Sequence, residues 1–428
     1  MKNDQLSILP ILLSAETSSA LRQSAADLAA ALEGADDVDY VRIYQANFRR
    51  PQLREGVLLR ASNSAELRAA LQEFIAAPEA SPFPRASRLA IARGPVFVYS
   101  GNGCQWPGMG KALLNEPLFT TSIKRIDEHF MPLAGYRLAD DLAGVLDDEQ
   151  RYAATEYAQP ALFALQVGMT EYLRGQGIEP AAVLAHSVGE VAAAWACGSL
   201  SLAEAVRVIF HRSELQAQTR GQGQMTAVVG SGDETQVWIR ECGVADVLEI
   251  AAWNSPKGCT VVGPTEALSV LETWLRKRGT AYKRLPIDYP FHSAGVDPIR
   301  PQLLKALADL QPQPAQVPFL SVVRGTVIDG TELDAEYWWQ NIRSPVRFAQ
   351  AAQASLAYGN VFVELGGHPV LRGYLQDTLD AAGETGRIIE TQRRNNNDPD
   401  PLWRSAAGIW LAGIPRRWAK ASQDRQAR

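Results

Sequence analysis

The chain has 428 residues, of which 46% are hydrophobic and 21% are charged, and its formal net charge is −5. This balance predicts a globular protein of two or three domains and argues against a nucleic-acid partner, which would need a basic surface. No apolar run approaches the roughly 20 residues of a membrane-spanning helix, so no membrane partner is expected. The four cysteines lack paired or metal-binding spacing, which indicates a reducing, cytoplasmic compartment and no metal.

Residues 1–90 are predicted to form a small α+β domain. Its expected elements are a strand at 6–13, a helix at 18–32, a strand at 57–59 and a helix beginning near 63. The first apolar run is short and interrupted by Pro10, so we interpret it as a strand and not as a signal peptide. Asn63 and Glu66 have the spacing of a capping box, which marks the start of the second helix.

A strand–turn–helix pattern around Ser187 is the strongest indication of chemistry. The apolar run 181–184 precedes Ala185-His186-Ser187-Val188-Gly189, and a helix-like run begins at Glu190. Small-x-Ser-x-Gly in this setting is the pattern of a nucleophile elbow, whose tight turn lifts the serine oxygen above a sheet. Ala185 stands where glycine is usual, and one methyl is the smallest possible departure. Taken alone, the pattern also fits an ordinary serine in a buried turn.

A smaller unit is predicted to be inserted at 223–288. The order strand, helix, strand, strand, helix, strand is the ferredoxin-like order. The predicted strands are 225–229, 247–252, 259–262 and 283–286, and the predicted helices are 233–241 and 265–277. Residues 91–222 and 289–395 flank it with an α/β pattern. We therefore expect an α/β-hydrolase-like large subdomain with a parallel sheet, and a polar linker and tail over 396–428.

A nucleophilic serine needs a base to take its proton, and histidine is the usual one. The chain has five histidines: His129, His186, His211, His292 and His368. The side chain of His186 should point away from Ser187, because adjacent residues at a turn diverge. His129 and His211 lie in helical contexts. His292 follows a strand-like run at 285–289, where the chain leaves the inserted unit, and His368 is a second loop candidate.

Six segments carry a family resemblance: GNGCQ (101–105), AHSVG (185–189), NSP (254–256), YPFH (289–292), YWWQNIRSPVRF (337–348) and ELGGHPV (364–370). In this order they resemble the acyltransferase domain of type I modular polyketide synthases, which is related to malonyl-CoA:acyl carrier protein transacylases. The resemblance covers nearly the whole chain. Residues 1–90 resemble the linker domain between ketosynthase and acyltransferase, and residues 410–418 resemble the linker that follows the acyltransferase.

The resemblance implies a ping-pong transfer through a covalent acyl-enzyme. Ser187 would attack a thioester carbonyl, and His292 would take its proton and later activate the incoming thiol. In this family a backbone carbonyl holds the histidine, so no third acid is expected. Gln105 and the N–H of Val188 would form the oxyanion hole.

The resemblance also implies residues that bind the substrate. Arg212 aligns with the arginine that grips the free carboxylate of a dicarboxylic acyl group, because a guanidinium offers two parallel N–H bonds. Sequence alone would favour an arginine on a surface helix. Asn254 would help to position the substrate, and His186, Tyr289 and Phe291 would also line the binding site.

The acyl group is less well specified than the reaction. In this family Tyr-Ala-Ser-His accompanies methylmalonyl selection and His-Ala-Phe-His accompanies malonyl selection. This chain has the hybrid Tyr289-Pro290-Phe291-His292. Phe291 would fill the space of an α-methyl group and Val188 also favours malonyl, whereas Tyr289 favours methylmalonyl. We expect malonyl, with methylmalonyl or a rarer extender as the alternative, because a methyl-sized pocket changes preference by only about 1–3 kcal/mol.

No bound cofactor is expected. Malonyl-CoA or a related acyl-CoA would be the donor, and the phosphopantetheine of an acyl carrier protein would be the acceptor. A ketosynthase and the other domains of a parent synthase are the expected neighbours. Two other classes of function stay open at this point. One is an α/β-type serine hydrolase or thioesterase that uses Asp334 or Glu364 with His368, and the other is a non-enzymatic scaffold for neighbouring domains.

Overall fold

Three β-sheets organise the residues that the structure describes. The computed structural model describes residues 9–145, 150–395, 398 and 400–415. The first eight residues, where the first strand was predicted to begin, and the predicted tail beyond residue 415 lie outside this range.

The N-terminal residues form an antiparallel sheet with helices against it. The elements are β1 (Leu9–Ala15), α1 (Ser18–Ala31), α2 (Asp37–Arg49), β2 (Glu55–Ala61), α3 (Ser64–Ala76) and β3 (Arg85–Ser87), and the strand order is β1-β2-β3. Asn63 caps α3 by accepting from the Glu66 N–H at 2.8 Å, but Glu66 accepts from the Ser62 N–H instead of completing a capping box. The sequence did not predict α2, in which buried Tyr40 and Tyr44 and half-buried Val41 and Ile43 are interspersed with polar residues.

The central sheet is built from two stretches of chain. The first stretch contains β4 (Val96–Tyr99), α4 (Pro117–Ala134), α5 (Leu138–Ala143), α6 (Thr155–Gly175), β5 (Ala182–Ala185), α7 (Gly189–Ala196) and α8 (Leu202–Ala217). Short β4 and β5 are buried along their whole lengths, as expected for central strands with helices on both faces.

The inserted subdomain has the ferredoxin-like order that the sequence predicted. Its elements are β6 (Gln224–Val229), α9 (Gly232–Glu241), β7 (Glu249–Ser255), β8 (Gly258–Gly263), α10 (Thr265–Lys277) and β9 (Tyr282–Arg284). The strands pair antiparallel in the order β7-β8-β6-β9. The strand-like run predicted at 285–289 is wrong. Pro286 has no N–H to donate to a ladder, and β9 ends before it.

The second stretch completes the central sheet. It contains α11 (Arg300–Ala306), β10 (Phe319–Ser321), β11 (Thr326–Ile328), α12 (Ala335–Arg343), α13 (Phe348–Ser355), β12 (Val361–Leu365), α14 (Arg372–Ala382), β13 (Arg387–Glu390) and α15 (Pro401–Leu411). The sheet order is β11-β10-β5-β4-β12-β13, and every pair is parallel except β10 with β11. The loops after β4 and β5 therefore leave neighbouring strands at one edge, where open α/β sheets place their sites.

Helix α15 was not predicted, because residues 396–428 were interpreted as linker and tail. It carries Leu402, Ala406 and Trp410 into the core and packs against the N-terminal sheet and α6. The Gln52 side chain donates to the Leu411 carbonyl at 3.0 Å. Within the described residues, no helix combines the length and apolarity that crossing a bilayer demands.

Candidate active site

Ser187 lies in a strained turn between β5 and α7. Its φ is 50°, a left-handed conformation that a residue with a side chain rarely adopts. Gly189 is required at this turn, because a Cβ there would lie 2.3 Å from the Tyr99 carbonyl oxygen. Ala185 ends β5 and is fully buried, so its methyl packs within the core and the elbow accommodates it.

His292 meets Ser187 across 105 residues of chain. Its Nε2 lies 2.7 Å from Ser187 Oγ, and its Nδ1 lies 2.9 Å from the Ser344 carbonyl oxygen. The carbonyl can only accept, so Nδ1 carries the proton and Nε2 presents its lone pair to the serine hydroxyl. The exposed fractions are 7% for Ser187 and 4% for His292. This arrangement can deprotonate a serine in a site with little water.

Arg212 is not a surface arginine, because only 1% of it is exposed. Its Nη2 donates to Ser187 Oγ at 3.2 Å, and its Nε donates to Asn341 Oδ1 at 3.1 Å. Burial lowers the pKa of Arg212 to about 9, and the nearby Glu190 opposes that change. The guanidinium therefore stays charged at neutral pH, beside the nucleophile.

Glu190 and Asn341 hold this cation in place, and sequence reasoning assigned a role to neither. Asn341 Nδ2 donates to Glu190 Oε2 at 2.7 Å and to the Ser187 carbonyl at 3.2 Å. Glu190 also accepts from the Val322 N–H at 2.6 Å and from the Tyr337 hydroxyl. Burial raises the pKa of Glu190 to about 7, which its hydrogen bonds and Arg212 oppose. The position of Asn341 inside the 337–348 signature was the available signal.

The glycine-rich loop after β4 lies against the elbow. A Cβ at Gly101 would sit 2.7 Å from the His186 carbonyl oxygen, so only glycine permits this approach. The Gln105 side chain turns back and accepts from the Gly103 N–H at 2.7 Å. The loop therefore lies against His186, the residue before Ser187, and Val188 follows Ser187 at the start of α7.

His186 and Asn254 connect the elbow to the small subdomain. His186 Nε2 lies 2.9 Å from Asn254 Oδ1, and Asn254 Nδ2 donates to Thr260 Oγ1 at 2.9 Å. The His186 ring therefore points away from the dyad, as the sequence predicted. Both ends of the Asn254 amide are occupied, and its contact with His186 joins the small subdomain to the elbow that carries Ser187.

Tyr289 and Phe291 form a parallel stack beside His292. Their ring centroids are 4.9 Å apart, and the planes differ by 2°. The Tyr289 hydroxyl accepts from the Thr155 N–H at 3.2 Å, and both rings are buried. The stack is therefore anchored to the start of α6, and neither ring is free to swing independently.

Comparison with known proteins assigns the family. Residues 96–414 match the family model described as an acyl transferase domain. This chain belongs to that family. It is an acyltransferase domain, and its relatives are polyketide synthases.

Two relatives and two solved structures illustrate the similarity. The chain is 34% identical to erythronolide synthase EryA2 of Saccharopolyspora erythraea over 96% of its own length and 12% of the relative. It is 38% identical to polyketide synthase GfsB of Streptomyces halstedii over 75% of its length and 6% of the relative. The chain thus spans a small part of these synthases.

Among solved structures, the acyltransferase domain from module 8 of the salinomycin polyketide synthase has a TM-score of 0.85 and 33% identity, with 96% of this chain and 97% of that one covered. A loading acyltransferase from the avermectin modular polyketide synthase has a TM-score of 0.70 and 35% identity, with 74% and 100% covered.

The acyltransferase does not assemble the late-chain triad that a serine hydrolase alternative would need. Asp334 caps α12 by accepting from the Tyr337 N–H at 2.8 Å. Glu364 accepts from Ser100 Oγ and from the Leu371 N–H, and His368 Nδ1 accepts from the Arg394 N–H at 3.3 Å. None of the three contacts Ser187 by a hydrogen bond in the described part of the chain. The partner of Ser187 is His292, so that version of the alternative is wrong.

The His292 ring of the acyltransferase is expected to stay neutral in mildly acidic solution. Burial lowers its pKa to about 3, the positive charges of Arg212 and His186 act in the same direction, and the Ser344 carbonyl opposes them. A lowered pKa means that the protonated ring appears only well below the ordinary value of about 6.5. Ring NMR shifts, assigned with a His292→Ala variant, should stay constant down to about pH 5. A titration midpoint near the ordinary value would contradict this.

Proposed function

We propose that this acyltransferase loads a malonyl extender unit from malonyl-CoA onto the phosphopantetheine thiol of an acyl carrier protein. The observation that carries the proposal is the pairing of a dyad with a buried cation: Arg212 Nη2 lies 3.2 Å from Ser187 Oγ. A buried charge costs free energy unless it has a charged partner, and the hydrogen bonds that link Arg212 to Glu190 run through Asn341. The carboxylate of a malonyl group supplies one.

In the first half-reaction, Ser187 Oγ attacks the thioester carbonyl and passes its proton to His292 Nε2. The backbone N–H groups of Gln105 and Val188 stabilise the oxyanion. The C–S bond then breaks, the departing CoA sulfur receives the proton from His292, and a malonyl ester remains on Ser187. Arg212 binds the free carboxylate, and the hydrogen-bonded pair of His186 and Asn254 forms part of the wall of the site.

In the second half-reaction, His292 takes the proton of the phosphopantetheine thiol, and the sulfur attacks the Ser187 ester. The C–O bond breaks and the proton returns to Ser187 Oγ. Water would compete with the thiol for the same ester, and the low exposure of the dyad limits that loss.

The aromatic stack supports malonyl as the acyl group. Phe291 lies directly before the catalytic base, and its ring is fixed by Tyr289, which is itself anchored to Thr155. An α-methyl group on the acyl chain would have to displace a ring that is stacked on Tyr289. Tyr289 therefore acts with Phe291 here, although the sequence interpretation counted it toward methylmalonyl.

Competition among acyl-CoAs tests the acyl assignment. The protein is mixed with equal amounts of malonyl-, methylmalonyl- and larger acyl-CoAs, and its intact mass is measured. We expect the malonyl adduct to dominate because of Phe291. A Phe291→Ala variant should accept more methylmalonyl. Dominance of methylmalonyl in the unmodified protein would overturn the malonyl assignment, and would leave the transfer mechanism standing.

We also propose that residues 91–395 are the transferase unit and that 1–90 and 396–428 connect it to a ketosynthase and to further domains. The small share of each relative that this chain covers supports that arrangement. The packing of α15 against the N-terminal sheet supports a fixed connection between the two linkers.

A further inference from the structure

A pair of buried glutamines covers one side of the Arg212 guanidinium. Gln159 comes from α6, and Gln216 comes from α8, one turn after Arg212. Arg212 Nη1 donates to Oε1 of Gln159 and, at 2.9 Å, to Oε1 of Gln216. Gln159 Nε2 donates to Gln216 Oε1 at 2.8 Å and to Thr155 Oγ1. Gln216 Nε2 is buried and, in the part of the chain described, has no hydrogen-bond partner.

The remaining donors of Arg212 restrict how it can bind a carboxylate. Its Nε donates to Asn341, whose amide is held in turn by Glu190. Nη2 donates one hydrogen to Ser187 Oγ and keeps the other, so the edge formed by Nη1 and Nη2 remains for a two-bond grip. Both Nη1 hydrogens are directed at glutamine oxygens. A carboxylate that takes one bond from each terminal nitrogen thus requires one glutamine to release Nη1.

Gln216 is the glutamine that can turn at lower cost. Rotation of the Gln159 amide would break both of its donor contacts and the bond it accepts from Arg212. Rotation of the Gln216 amide would break only the two bonds that its Oε1 accepts, from Arg212 and Gln159, because its Nε2 has no contact to lose. A side-chain amide carries an acceptor at one end and a donor at the other, so rotation about its last bond exchanges them. An unpartnered buried N–H costs free energy that a new acceptor would recover.

We propose that Gln216 releases Arg212 on substrate binding and donates its Nε2–H to the carboxylate of the acyl group. This rests on the proposed transfer of a dicarboxylic acyl group and names a second residue that recognises its free end. A carboxylate can accept about four hydrogen bonds. Arg212 supplies two, and Gln216 supplies a third. An acetyl group offers no such acceptor, so Gln216 adds to the discrimination against it.

If Gln216 has only a packing role, its substitution should change the affinity for malonyl in the opposite direction. If its oxygen only satisfies Nη1, then removing the amide frees the guanidinium and strengthens malonyl binding. If its N–H binds the carboxylate, then removing the amide weakens malonyl binding. A single substitution of matched length therefore separates the two roles.

The test compares Gln216→Met and Gln216→Glu with Ser213→Ala. Methionine matches the length of glutamine without its amide, and glutamate adds a carboxylate that competes with the substrate for Arg212. Ser213 is buried on the same helix, but its hydroxyl donates to the Phe210 carbonyl, so it serves as the control. KM and kcat are measured for malonyl-CoA and acetyl-CoA with a pantetheine thiol as acceptor, and thermal unfolding monitors the fold.

For Gln216→Met, we expect the malonyl KM to rise about tenfold more than the acetyl KM, the size of a lost hydrogen bond to a charged group. For Gln216→Glu, we expect the preference for malonyl-CoA over acetyl-CoA to fall below that of Gln216→Met. An unchanged or lower malonyl KM in Gln216→Met, or equal changes for the two substrates, would overturn the proposal. If Gln216→Met fails to fold, Gln216→Leu, which also removes the amide without adding a charge, decides in the same way. Absence of malonyl transfer in the unmodified protein would instead refute the proposed function.

Discussion

Arg212→Ala is expected to lower malonyl transfer at least about 30-fold, while acetyl transfer falls much less. The guanidinium is buried beside Ser187 Oγ, so its charge is little screened by water. Removing it leaves the malonyl carboxylate in a dry site without a cation, whereas an acetyl group has no carboxylate to lose. The measurement is kcat/KM for both acyl-CoAs with the same thiol acceptor.

Arg207→Ala is the matched control for that substitution. Arg207 lies on the same helix, but it pairs with the exposed Asp309. Exposed ion pairs contribute little to stability, so both activities should be retained. Equal losses of malonyl and acetyl transfer in Arg212→Ala, with Arg207→Ala intact, would show that Arg212 supports the fold and does not bind the carboxylate.

Ser187→Ala is expected to abolish the malonyl adduct, because the ester forms on its hydroxyl. Alanine keeps the Cβ at the φ of 50°, so the strain of the turn is unchanged and only the nucleophile is lost. His292→Ala should retain Ser187 but acylate roughly 10²–10⁴-fold more slowly, the usual contribution of a general base. Intact mass after incubation with malonyl-CoA measures both, with Ser213→Ala as the control. An adduct of unchanged yield in Ser187→Ala would place the nucleophile elsewhere.

Sequence patterns correctly predicted the parts of this protein whose structure depends on neighbouring residues. The elbow is recognisable because a tight turn requires small neighbours, and Gly189 has no room for a side chain. The six elements of the small subdomain appear in the predicted order, and α10 matches the prediction at both ends. The capping of α3 by Asn63 also follows from neighbouring residues.

Helices that are stabilised by contacts with other parts of the chain were not predicted from the sequence. Helix α2 packs on β1 and buries Tyr40 and Tyr44. Helix α15 packs on a sheet more than 300 residues earlier in the chain, and Gln52, in the loop before β2, donates to the Leu411 carbonyl 359 positions away. Neither contact leaves a periodic signal strong enough to separate a helix from a linker.

The polar network around Arg212 was not predicted from the sequence for the same reason. Glu190, Asn341 and Gln159 come from three helices that meet only in the folded protein. A usable signal did exist on α8, where Ile209, Arg212, Ser213 and Gln216 have helical spacing and are all buried. Polar residues on a buried stripe predict a polar network rather than an apolar core.

Transfer from isolated acyl-enzyme tests the central claim most directly. The protein is acylated with malonyl-CoA and freed of CoA, and the modified peptide is identified before and after addition of a carrier protein that bears phosphopantetheine. The malonyl group should start on the peptide containing Ser187 and move to the carrier thiol faster than it is lost to water. A malonyl group on any other residue, or its release only as free malonate, would contradict the account.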